Sequence, residues 1–178
     1  MQPSDIPIAG NCRNIIGKAI GGVNYRIGRF KINNAFLVIK DEARFLYVRP
    51  RYSWYRTVAN SVFSSVTWKV DFDHALAKRI ALKSSPEYKY VLLLRVPPSV
   101  NRKHGSFEKK DQLNGTSPEL CYADDRILDK WLGRAPKARQ RGQEVMDGYS
   151  IKNITKNGLT LKQRGKCAYA IGIGDSEF

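Results

Sequence analysis

Three short runs rich in β-branched and aromatic residues stand close together near the start of the chain: YRIGRFKI at 25–32, AFLVIK at 35–40 and RFLYVR at 44–49. Asn33-Asn34 and Asp41-Glu42 separate them with the side chains that turns favour, so the pattern predicts an antiparallel meander. Pro50 ends the third run, because it has no amide hydrogen to give a ladder. The period then lengthens. Trp54, Val58 and Val62, with Ala59 and Phe63 beside them, predict a helix over 53–65 capped by Ser53. Two more β-propense runs, 66–72 and 88–96, flank a segment at 75–82 in which Ala75, Leu76 and Ile80 alternate with Lys78 and Arg79 like a short helix. Ser106 predicts a helix running toward Leu113. Ser117-Pro118 opens another over 119–132, with Leu120, Ile127, Leu128, Trp131 and Leu132 as its buried stripe and Gly133 as its stop. The tail returns to strand patterns, and Asn157-Gly158 between two of them marks a hairpin. Residues 1–23 show no clear period; Gly21-Gly22 predicts a turn, since no Gly-x-x-x-x-Gly-Lys-Ser/Thr follows.

These elements predict an α+β fold: an antiparallel β-meander with packed helices around a central strand–strand–helix element. Its 178 residues, 42% of them hydrophobic, suffice for one domain, with a basic meander and helix at 1–65, a core at 66–113, and a helix, basic loop and hairpin at 114–178. No run approaches the roughly 20 apolar residues of a membrane span, and residues 1–12 lack the pattern of a secretory leader. Cys12, Cys121 and Cys167 are odd in number and widely spaced, which favours a reducing compartment and, with the missing leader, predicts a cytoplasmic protein without a structural zinc site.

Charge changes the picture further. Lys and Arg number 31 against 16 acidic residues, a net charge of +15, and the first partner to expect is a polyanion that exchanges its counterions for basic side chains. No amphipathic basic helix points to a membrane. The meander offers Arg26, Arg29, Lys31, Arg44 and Arg49 with Tyr25, Tyr47 and Tyr52 nearby, a combination able to stack single strands. Arg134, Lys137, Arg139 and Arg141 form the densest basic loop, an expected phosphate-binding arm. Asp124, Asp125 and Asp129 read as a helix face paired with nearby Arg and Lys.

The candidate chemistry lies in the central stretch. Both histidines of the chain fall within it, and Asp73-His74 ends one strand-like run while Asn101-Arg102-Lys103 follows the next, 27 positions later counting from His74 (101 − 74). This order resembles the ββα-metal (HNH) nuclease motif, most closely the HNH domains of RNA-guided CRISPR nucleases, and the likeness covers about residues 66–112. The resemblance implies one divalent metal, Mg²⁺ or Mn²⁺, held by Asp73 and Asn101, with His74 as the general base that activates water against a phosphodiester. Either Glu108 or His104 supplies the third site residue, and Arg102, Lys103, Lys109 and Lys110 flank the metal as phosphate contacts. The expected activity is that of a metal-dependent endonuclease, with DNA preferred over RNA and a protein partner or inhibitor compatible with it. Two other readings share the same features: a non-catalytic basic nucleic-acid-binding protein of a nucleoprotein assembly, and a metal-independent ribonuclease of toxin type using His74 or His104.

Overall fold

The most apolar run of the chain becomes β6 (Tyr90–Val96), buried along its whole length. The computed structural model describes residues 2–63, 70–109 and 119–136. The first half of β6 is flanked by β1 (Pro7–Gly10) and β4 (Ala43–Val48), and its second half pairs with β5 (Asp71–His74). With β2 (Val23–Tyr25), β3 (Ala35–Lys40) and β7 (Leu120–Tyr122) the sheet has seven strands among the described residues, in the order β2-β3-β4-β6-β1-β7, with β5 joined to β6. Among the described residues every strand pairing is antiparallel. Helices α1 (Arg13–Ile20), α2 (Tyr55–Val62), α3 (Lys78–Lys83), α4 (Pro98–Glu108) and α5 (Asp125–Trp131) complete an α+β architecture.

Two apolar clusters lie on opposite faces of the sheet, because successive residues of a strand point to opposite sides. Tyr90, Leu92, Leu94 and Val96 of β6 join Ile16, Ile20, Phe36, Tyr47, Ile127 and Trp131 in the larger cluster. Leu93 joins Leu37, Leu46, Val58, Val62 and Phe63 in the smaller, beneath α2. The β3–β4 hairpin turns through Asp41 and Glu42, both with positive φ (46° and 67°), the geometry of a tight two-residue hairpin turn.

Several expectations need correction. Of the run at 25–32 only its first residue is strand; Gly28 at φ 44° and the bond from Phe30 N–H to Ile27 O turn the rest into a loop. β1 and α1 occupy the segment that showed no period. There Gly21, at φ 70°, ends α1 in the left-handed conformation and bears out the expected turn. The helix expected from Ser53 begins at Tyr55, and Trp54 is exposed rather than part of its buried stripe. Asp124, not Ser117, caps the helix of 119–132: its Oδ1 accepts the Ile127 N–H at 2.7 Å, and Leu120 belongs to β7. The C-terminal hairpin expected beyond residue 143 lies outside the described residues.

Candidate functional site

The helix expected from Ser106 starts eight residues earlier. Pro97-Pro98 opens α4, since proline is well tolerated at the first helical position. Asn101 therefore lies inside a helix instead of in a turn, and the spacing of three and then four residues to His104 and Glu108 puts all three on one helical face. That face meets β5 and α5.

β5 brings the other half. Its period of two sends Asp71 and Asp73 toward α4, where Asn101 Nδ2 donates to Asp71 Oδ2 at 3.1 Å. Asp73 Oδ2 and Glu108 Oε1 both accept from the ammonium of Lys130 on α5, and the two carboxylates thus converge on one point. Lys130 is fully buried, whereas the Asp73 side chain keeps 28% of its exposure and that of Glu108 keeps 18%, so the carboxylates form the open rim of the cluster. Arg126, one helical turn before Lys130, brings its Nη1 to 3.6 Å from Glu108 Oε1. The convergence has a plain electrostatic cause. A buried ammonium needs charged oxygens around it, and these two are the ones its helix reaches.

His74 is elsewhere. The alternation that turns Asp73 toward α4 turns His74 to the other face of the sheet, opposite Leu93 and against the Tyr55 ring at 4.9 Å. It is 3% exposed, and its Nε2 has no hydrogen-bond partner among the described residues. Burial, reinforced by the Lys78 ammonium, lowers its pKa to about 4 against the opposing pull of the Asp73 carboxylate; the ring is neutral near pH 7. Asp73 and His74, adjacent in sequence, do not meet at one centre. His104 is also buried, and its Nε2 donates to Arg134 O at 2.8 Å, tying α4 to the end of α5.

The donor set can be judged against the divalent ion expected from the sequence. Asp73 and Glu108 suit a hard cation, and magnesium is often held by one or two carboxylates, with water and substrate oxygens completing its shell. Asn101 and His104 do not join them: one is bonded to Asp71 and the other to Arg134. Among the described residues no group of three or more His, Cys, Asp or Glu side chains gathers to hold a metal. The carboxylate pair fits as a two-ligand site, at a point the Lys130 ammonium occupies.

Of the expected phosphate contacts, Arg102, Lys103 and Lys109 are exposed on α4, while Arg134 pairs with Asp129 at 3.7 Å. Lys110, Lys137, Arg139 and Arg141 lie outside the described residues. The sequence reading passed over Lys130. Its signal was a lysine inside the apolar stripe of a helix, three residues after Ile127 and next to Trp131, where a charge demands a partner. No family model matches the chain, and neither a curated protein nor a solved structure shows significant similarity to it.

Proposed function

We propose that the chain hydrolyses phosphodiester bonds of nucleic acid, DNA first, at the point where Asp73 and Glu108 meet. The observation that supports this reading is the convergence itself. Two carboxylates from a strand and a helix reach a common, partly open point on a chain of net charge +15. Asp73 and Glu108 would hold the divalent ion in place of the Lys130 ammonium, and the ion would supply charge neutralisation of the phosphate and a water of lowered pKa. Without the ion Lys130 keeps the pair converged; Arg126 adds positive charge beside Glu108, and Asn101 fixes Asp71 on the same side of β5. With His74 on the far face, the groups at this point able to take a proton from water are the carboxylates. Arg102, Lys103 and Lys109 hold the substrate backbone from the outer side of α4.

The test is incubation of the protein with plasmid DNA and structured RNA, in Mg²⁺, in Mn²⁺ and in EDTA, with Asp73→Asn, Glu108→Gln and His74→Gln alongside. Metal-dependent cutting that the two carboxylate variants abolish and His74→Gln retains is the expected result. Cutting abolished by His74→Gln alone, in a folded variant, returns the base to His74 and removes the assignment made above.

One observation favours a second reading, a non-catalytic nucleic-acid-binding protein. The carboxylates already carry an internal cation, as a structural ion cluster does. Retarding both polymers in a gel while cutting neither in any metal is the outcome that belongs to it.

A further inference from the structure

The end of β4 and the start of β6 enclose a recess of about 250 Å³ that belongs neither to the carboxylate cluster nor to the His74 face. Its wall is the turn that Pro50 makes after β4. Tyr52 N–H donates to Arg49 O at 2.9 Å and Arg49 N–H to Asn34 O at 2.9 Å, so two hydrogen bonds fix the loop that carries Arg49, Arg51 and Tyr52. Glu87 and Lys89, just before β6, close the opposite side. Tyr52 packs partly on the smaller apolar cluster, which leaves the rest of its ring to the recess. Trp54, two residues on, is 61% exposed.

The charge of this recess is unbalanced. Three cations, Arg49, Arg51 and Lys89, face one carboxylate, Glu87, a net of +2 (3 − 1). Lys130, Arg126 and Arg134 each have a carboxylate within 4 Å, whereas Arg49, Arg51 and Lys89 have none among the described residues. Holding three like charges around one small volume with a single carboxylate among them is unfavourable. An anion entering it removes that repulsion and gains charge-assisted hydrogen bonds, bidentate ones from the arginines. A net of +2 suits a dianion, an aromatic wall suits a base, and Glu87 and Asn34 can accept from a sugar hydroxyl or a base amine.

We infer that this recess is a subsite for the terminal phosphate and adjoining nucleotide of a single-stranded nucleic acid: Arg49, Arg51 and Lys89 take the phosphomonoester, and Tyr52 stacks on the base. Lys89 lies five residues from Leu94, the partner of Asp73, a distance of about 16 Å along β6. The subsite therefore grips an end of the strand away from the carboxylates. The inference rests on nucleic acid as the ligand but not on its hydrolysis, and its test runs in EDTA with binding alone as the readout.

Fluorescence anisotropy of a short labelled single strand, with and without a 5′-terminal phosphate and with a 3′-terminal phosphate, is measured for the wild-type chain, Arg51→Ala/Lys89→Ala and Tyr52→Leu. The mutated cations are exposed, and circular dichroism checks that each variant is folded. The wild-type chain is expected to prefer a phosphorylated end by about tenfold, and the double variant to lose that preference. Tyr52→Leu weakens all strands while keeping it, and inorganic phosphate competes with the phosphorylated strand. Equal binding of strands with and without the phosphate, or a preference that survives Arg51→Ala/Lys89→Ala, overturns the inference. A chain that binds as expected but cuts nothing leaves it standing and removes only the hydrolytic reading.

Discussion

Burial of His74 under Tyr55 takes hydration from its charged form, and the adjacent Lys78 ammonium adds repulsion, which is why its pKa falls to about 4 from the ordinary 6.5. Between those values the unfolded chain binds a proton that the native chain refuses. Stability is therefore complete above about pH 6.5 and declines as the pH falls toward 4, by about 3 kcal/mol from this group. Urea titrations at pH 7 and near pH 4.5 on the wild type and His74→Gln measure it. The wild type is expected to lose more on acidification, and equal losses refute the assignment. Lys130 is the second residue whose environment sets its effect. Lys130→Met leaves two carboxylates facing each other and is expected to lower stability by about 3 kcal/mol. Adding Glu108→Gln recovers part of the loss, so the pair is non-additive in a double-mutant cycle. Mg²⁺ is expected to raise the Tm of Lys130→Met more than that of the wild type, because the vacated point takes the ion; equal shifts would place any divalent ion elsewhere.

Among the elements, β5 and α4 show how period decides which residues share a site. A strand separates neighbours, so Asp73 and His74 part, while a helix gathers residues three and four apart, so Asn101, His104 and Glu108 align. The Asp-His adjacency that drew attention to this stretch is thus what keeps the two from one centre. The β3–β4 hairpin carries a further prediction. Glu42 sits at φ 67°, a conformation unfavourable for a side chain with a Cβ and free for glycine. Glu42→Gly, which makes the turn Asp-Gly, is expected to stabilise the chain by about 1 kcal/mol in chemical denaturation. A loss of stability in that variant would mean that Glu42 makes a compensating interaction.

For the whole molecule, the excess of positive charge governs association more than folding. No helix among the described residues is long and apolar enough to cross a membrane. If Arg102, Lys103 and Lys109 contact phosphates, each removal flattens the plot of log affinity against log salt by somewhat less than one unit, about 0.7 to 0.9 depending on the strand. The triple Ala variant is expected to lose affinity for every sequence alike, and an unchanged slope would move the contact surface off α4.

Sequence and tertiary structure divided the work along physical lines. Residues 35–40, 44–49 and 88–96 were legible as strands because dense β-branched and aromatic runs have few other outcomes, and Gly133 and Asp41-Glu42 were legible because local backbone geometry decides them. β1 and α1 were hidden, since a four-residue strand buried on both sides and a short glycine-containing helix are fixed by what packs on them: a Cβ at Gly17 would stand 2.6 Å from the Asn24 amide oxygen. The candidate site divides in the same way. The sequence alone determined that carboxylates, amide and imidazoles stand close along the chain between 71 and 108. Only the tertiary structure decided that Glu108 meets Asp73, that Asn101 meets Asp71, that His74 faces away, and that a lysine 57 positions from Asp73 completes the group. Such a contact is settled by the long-range packing of α5 against β5 and α4; the local pattern shows that Lys130 needs a partner and not which residues supply it.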